Sequence, residues 1–104
     1  MNIKDFHYGW FIGNFEPSLL KQDQVEIGYL QIKKGTKGDG HFHKYHTEIN
    51  LIINGIAKIG DEYYGRGDFF IFKPGNKNNE LEYLEDTDLI IIKSPQVKGD
   101  KFYD

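Results

Sequence analysis

Residues 35–55 read GTKGDGHFHKYHTEINLIING and place two histidines and a glutamate between loop glycines and an apolar run. Successive side chains of a β-strand point to opposite faces, so His41 and His43 project from one face, about 7 Å apart along the chain. A short turn then leads to a second strand that opens at Glu48 and returns a carboxylate to the same point. Two imidazoles and one carboxylate leave open positions on an ion, as in non-haem iron(II) oxygenases and catalytic zinc sites. The spacing therefore predicts a metal site.

Short apolar runs bounded by turn residues fill most of the chain. Asn54-Gly55 lies between two of them and is the strongest hairpin signal, so residues 48–53 are predicted to pair directly with residues 56–59. Residues 16–21 favour one turn of helix with Pro17 at its first position. Seven or eight short strands with almost no helical period indicate an all-β sandwich or barrel. The other predicted strands cover residues 25–33, 68–72, 81–84 and 88–93.

Five residues of this stretch match a known family motif. Gaps of five, one, four and six residues separate, in order, Gly35, His41, His43, Glu48 and Gly55. In these identities and spacings the chain resembles the first conserved motif of the cupin superfamily. Residues 67–75, GDFFIFKPG, resemble the second motif, whose last metal-binding histidine would follow three residues after the final glycine. That position is Asn78 here.

The resemblance implies an all-β, single-domain cupin-type double-stranded β-helix, a jelly-roll barrel of the RmlC-like kind. The domain is expected to span residues 1–104, with an N-terminal arm over about 1–24 and a barrel core over about 25–93. The tail, about 94–104, contains Pro95 and Gly99 without a clear period and is expected to lie over the outside.

The resemblance also implies the cofactor, a divalent transition metal (Fe, Zn, Ni or Mn). Its expected ligands are His41, His43 and Glu48, with Asn78 at the family's fourth-ligand position. An amide oxygen is a weaker ligand than imidazole, so a more open ion, a weakly held ion and a metal-free site all stay open as alternatives.

Two further polar residues fall close to these ligands. Asn50 shares strand parity with Glu48, so it is expected inside the barrel, either orienting a ligand or as a satisfied buried amide. His46 falls in the turn before the second strand, where a solvated turn histidine is favoured over a ligand or an acid–base group. The aromatic arm around Trp10 either covers the chain's own core or packs on a second subunit.

Composition excludes several classes of function. The 104 residues contain no cysteine, which rules out disulfides, thiolate metal sites and a catalytic cysteine. The net charge of -3, from 13 basic and 16 acidic residues, gives no reason to expect a nucleic-acid partner. No apolar run is longer than residues 89–92, which are far too few to span a bilayer, so no membrane partner and a cytoplasmic location are expected.

Three hypotheses for function remain open. The first is a metal-dependent enzyme that acts on a small polar metabolite, such as a sugar derivative or an organic acid. The second is a metal-free isomerase or epimerase in which His41 or His43 is the general base. The third is a non-catalytic cupin that binds a small ligand. Each implies a small-molecule partner, and the resemblance adds a homodimer.

Overall fold

The computed structural model describes residues 1–103 as two antiparallel β-sheets. Helical structure within that range is limited to two 3₁₀ turns, Ile3–Asp5 and His7–Gly9. The strands are β1 (Trp10–Ile12), β2 (Glu26–Ile32), β3 (Thr47–Asn54), β4 (Ala57–Ile59), β5 (Glu62–Tyr64), β6 (Phe69–Phe72), β7 (Leu81–Tyr83) and β8 (Thr87–Ser94). No helix within these residues is long and apolar enough to cross a membrane.

The strand order shows how the chain moves between the sheets. The larger sheet has the order β1-β2-β8-β3-β6, and the smaller has the order β5-β4-β7. Most sequence neighbours are therefore not sheet neighbours, which is typical of a jelly roll rather than of a meander. The all-β jelly-roll prediction is confirmed, and most of the predicted strands match within one or two residues.

The core lies between the two sheets. Alternation along β3 and β8 points Ile52, Leu89 and Ile91 inward against the smaller sheet. Trp10 packs against this cluster, so that residue of the N-terminal arm covers the chain's own core. The buried cluster consists of Ile52, Ala57, Phe70, Phe72, Leu81, Tyr83, Leu89 and Ile91.

The predicted hairpin between β3 and β4 is wrong. One edge of β3 pairs with β6 and the other with β8, so β4 finds no free edge there. It pairs instead with β5 and β7 in the smaller sheet. The Asn54-Gly55 turn therefore carries the chain from one sheet to the other.

The predicted helical turn over residues 16–21 is also absent. The Leu19 amide donates to the Phe11 carbonyl at 2.7 Å, and Leu20 forms a parallel bridge with Ile12. These contacts direct the backbone groups of the segment to β1, so the chain runs beside the strand rather than coiling on itself.

The outer face of the larger sheet carries two rows of apolar side chains. Register aligns Ile27, Ile92, Ile49 and Ile71 in one row. The second row consists of Tyr29, Ile90, Leu51 and Phe69. At the β6 edge of this outer face, Phe69 is 56% exposed and Ile71 49%. An antiparallel sheet usually presents polar residues on a solvated face, so this face has the character of a buried one.

Gly55 is required at the crossing between the sheets. Its φ is +109°, and an added Cβ would lie 2.3 Å from Thr87 Oγ1 and 2.7 Å from the Asp86 carbonyl oxygen. We expect Gly55→Ala to lower the free energy of unfolding by about 2–4 kcal/mol, from backbone strain plus steric overlap. Urea unfolding measures this. Gly67→Ala is the matched control, since Gly67 has a φ of +85° with open space around it and should cost only about 1–2 kcal/mol. Equal losses would contradict the steric argument.

Candidate metal centre

The C-terminal tail holds the two histidines in place. Phe42 and Phe102 exchange two backbone hydrogen bonds, of 3.0 and 2.9 Å. Residues 41–43 are thus extended by pairing with the tail, not as a strand of either sheet. His41 and His43 flank Phe42 on one side, and their ring centroids lie 5.0 Å apart.

Glu48 meets the histidines from β3. Its Oε1 lies 3.3 Å from Nε2 of His43. One ligand atom from each of His41, His43 and Glu48 falls within 4.8 Å of the other two. His43 and Glu48 are largely buried, with 4% and 13% of their side chains exposed. The structure thus brings together the three residues that the spacing selects.

The far ring nitrogen of each histidine is held by an oxygen acceptor. Nδ1 of His41 lies 2.5 Å from Oδ1 of Asp39, and Nδ1 of His43 contacts the Asp100 carbonyl oxygen. Histidines that bind metals usually donate this second N–H to a carboxylate or carbonyl. Such a tautomer leaves both Nε2 lone pairs for an ion. The donor set and its support therefore fit a divalent transition metal.

Most of the described tail is exposed, but Asp100 within it is buried at the site rather than over the outside. Its carboxylate accepts the backbone N–H groups of Lys44, Tyr45 and His46 at 2.8, 3.0 and 3.0 Å. Burial favours a raised pKa for Asp100, but these three hydrogen bonds outweigh it and hold the pKa below its usual value. The three amides explain why Asp100 is buried. The turn leaves buried N–H donors, and one carboxylate satisfies all of them.

His46 is buried, so the expected solvated turn histidine is wrong. It is 2% exposed, and its ring centroid lies 3.9 Å from that of His43. Nδ1 lies 3.2 Å from Oδ2 of Asp100, without the alignment of a hydrogen bond. Burial, with the nearby charges of His43 and Lys93, lowers the pKa of His46 to about 4. A neutral His46 packs against the ring of His43 and restricts the orientation of that ring.

The two asparagines have different surroundings. Asn50 is 2% exposed and donates from Nδ2 to Oε2 of Glu48 at 3.1 Å, so it lies inside the barrel and orients that carboxylate. Asn78 accepts the Gly40 N–H on Oδ1 at 2.9 Å, and its Nδ2 lies 3.3 Å from Nδ1 of His41. The oxygen of Asn78 is thus engaged in holding the loop before His41.

The charges at the centre favour the binding of a cation. Burial alone would lower the pKa of His43, but hydrogen bonds to Glu48 and to the Asp100 carbonyl raise it above its ordinary value. For Glu48, burial would raise the pKa, but His43, Asn50 and the charge of Lys93 keep it low. Glu48 is therefore an anion, and it faces a nitrogen that either a proton or a cation would occupy.

The ligands open onto a cavity of about 310 Å³ between the sheets. Its apolar walls include Trp10, Leu30 and Ile91. Lys37, Lys93 and Lys101 add positive charge, and Tyr83 adds a phenol. A volume near the lower limit of ligand sites suits a small molecule.

Sequence reasoning missed several of these residues. Asp39 and Asp100 act through contacts with the two histidines, and only their Gly-Asp context marks them. The alternation of side chains along the strands could have identified Tyr83 and Lys93. Both occupy inward positions, alternating with outward residues on β7 and β8.

The two-sheet topology is that of the cupin fold, and solved structures share it. An RmlC-like cupin from Shewanella frigidimarina matches with a TM-score of 0.62 and 19% identity, over 76% of this chain and 72% of that chain. The DMSP lyase DddQ from Ruegeria pomeroyi matches with 0.69 and 16%, over 95% of this chain and 53% of that one, so this chain spans about half of that protein. The Streptomyces nucleoside dehydratase Pac13 matches with 0.62 and 11%, over 80% and 70%.

Sequence comparison adds no closer relative. No family model matches the chain, and neither does any curated protein. At these identities the structural matches show the fold alone.

Asp100→Asn tests the support of the site. The amide offers one acceptor oxygen and places an NH₂ group against a backbone N–H, so we expect a loss of about 2–4 kcal/mol in the free energy of unfolding. Urea unfolding of the metal-free protein measures it. Asp61→Asn, at an exposed turn, is the control and should stay within about 0.5 kcal/mol of wild type. An Asp100→Asn protein as stable as this control would show that the three amides do not need the carboxylate.

Proposed function

We propose that this protein is a cupin-fold, metal-dependent enzyme that acts on a small polar metabolite inside the barrel. One observation carries the proposal. His41 and His43 each have Nδ1 against an oxygen acceptor, while the Nε2 side of His43 faces Glu48. Such an arrangement orients three ligand atoms at one point before any ion binds, which reduces the entropy lost on binding.

The surrounding residues have distinct tasks in this proposal. Asn50 holds one oxygen of Glu48, so the other is presented to the ion. The apolar walls reduce access of bulk water, which strengthens electrostatic interactions within the cavity. A bound divalent ion would polarise a carbonyl or activate water or oxygen.

The comparisons support enzymatic activity without identifying the reaction. A DMSP lyase and a nucleoside dehydratase have this fold, so the scaffold is compatible with chemistry on small molecules. Since one fold carries many functions, the reaction of this chain must be sought from its own site.

Metal analysis tests the proposal directly. We expect the protein, purified without a histidine tag, to contain close to one transition-metal ion per chain, and the His43→Ala and Glu48→Gln variants to lose at least nine-tenths of it. His7→Ala is the control, because His7 is exposed and does not line the cavity. Elemental analysis gives the content, and a chelator should lower the melting temperature of wild type only. A metal-free wild type that no added ion stabilises would refute the proposal.

We also propose that a second copy of the chain covers the outer face. The two rows on this face hold eight apolar side chains and no charged ones. In a twofold dimer the same patch of each subunit contacts its copy, so an apolar face without charges is self-complementary. The twofold arrangement would bury Phe69 and Ile71, the most exposed members of these rows.

Ile71→Lys tests the dimer. Ile71 is 49% exposed, so the change should leave the fold intact while it places a charge in the contact. Light scattering after size exclusion is expected to show a dimer for wild type and a monomer for Ile71→Lys, with at least a tenfold weaker association. Tyr63→Lys, at a residue 63% exposed on the smaller sheet, is the control and should remain dimeric. A monomeric wild type would refute the contact.

A further inference from the structure

Lys93 is a cation built into the wall of the cavity. It lies in β8, directly across from Glu48 of β3, and directly opposed residues of neighbouring strands point to the same face. Lys93 therefore points inward with Glu48, and both line the cavity together with His41 and His43.

The ammonium group of Lys93 has no hydrogen-bond acceptor or salt-bridge partner within residues 1–103. The ammonium lies instead over the ring of Trp10, whose centroid is 4.9 Å from Nζ. Glu26 and Glu48 are its two cross-strand neighbours, yet neither forms a salt bridge with it. An ammonium has three donors, and no protein acceptor within residues 1–103 takes up those of Lys93, so they are available to a ligand in the cavity.

The acidic groups in the cavity are already engaged by residues other than Lys93. Asp39 is already engaged by His41, by the Tyr103 hydroxyl at 2.8 Å and by Lys101 at 3.7 Å. Glu48 is directed at His43. Of the three lysines that line the cavity, Lys101 is paired with Asp39, whereas Lys37 and Lys93 form no salt bridge within residues 1–103 and give the cavity positive charge that attracts anions.

We propose that Lys93 is a substrate-binding residue that receives the carboxylate of a small organic acid, while another group of the same molecule meets the metal ligands. The inference rests on the proposed function, because it names the substrate class of that site. Trp10 sets the position of the ammonium by holding it over the ring. A carboxylate would form a charge-assisted hydrogen bond with this ammonium, which is stronger than one between neutral groups.

Calorimetric titration with malonate, malonamide and inorganic phosphate tests the inference. We expect wild type to bind malonate at least tenfold more tightly than neutral malonamide, and more tightly than phosphate. Lys93→Met keeps the apolar stem over Trp10 but removes the charge, and it should weaken malonate binding at least tenfold. Lys93→Arg should retain binding within about threefold, since it restores the charge.

Lys58→Met is the matched control. Lys58 also lies over an aromatic ring, 5.5 Å from the centroid of Tyr63, but it does not line the cavity. Its malonate affinity should equal that of wild type. Undiminished malonate binding by Lys93→Met would overturn the inference, as would wild type that does not prefer malonate to malonamide. Phosphate bound more tightly than malonate would overturn the assignment to a carboxylate.

Titrations with and without a chelator separate this inference from the proposed function. Malonate binding that depends on Lys93 in a protein unable to hold metal would refute the metal site and support the anion site. A second outcome is stoichiometric metal that is lost in Glu48→Gln, together with malonate binding that does not change in Lys93→Met. This outcome would support the metal site and refute the anion site. Metal content should be the same in Lys93→Met and wild type, because Lys93 is not a ligand.

Discussion

The site depends on one carboxylate that satisfies three successive backbone amides. Asp100 accepts the N–H groups of residues 44–46, and its own carbonyl contacts Nδ1 of His43. The turn between the last histidine of the motif and Glu48 is thus fixed by a residue more than 50 positions away. Buried amides without an acceptor would open this turn to water, and the orientation of His43 would be lost with it. Formation of the site and docking of the tail are therefore one event.

Strand β3 couples the site to the outer face. Glu48 and Asn50 point inward from it, while Ile49 and Leu51 point outward, because side chains alternate along a strand. Since both edges of β3 are paired, its register is fixed by two neighbours, and a slip of one residue would exchange the two sets. A partner on the outer face would add a third restraint on the strand that presents the carboxylate.

The sequence predicts the features that depend on the spacing of nearby residues. It does not predict the features that depend on contacts between distant residues. The period of two and the return of Glu48 follow from adjacent residues, and the structure brings the three side chains together. The hairpin prediction at Asn54-Gly55 is wrong because these residues indicate only a change of chain direction. The pairing of both edges of β3 is what excludes a hairpin. The burial of Asp100 could not be read from a tail without a period, nor that of His46 from a short turn. Tertiary contacts decide such positions.

Asn78 stands where the family has a histidine ligand, and here the position has a structural role instead. Its amide oxygen accepts the Gly40 N–H, so it supports the loop that ends at His41. An ion held by two histidines and one glutamate would retain more open positions than one with four protein ligands. Open positions need a substrate oriented by something other than the ion, and Lys93 lies in the same wall as Glu48. The weakening of one ligand position and the presence of an unpaired ammonium are thus compatible parts of one site: fewer fixed ligands at the ion, and a second fixed charge for the substrate.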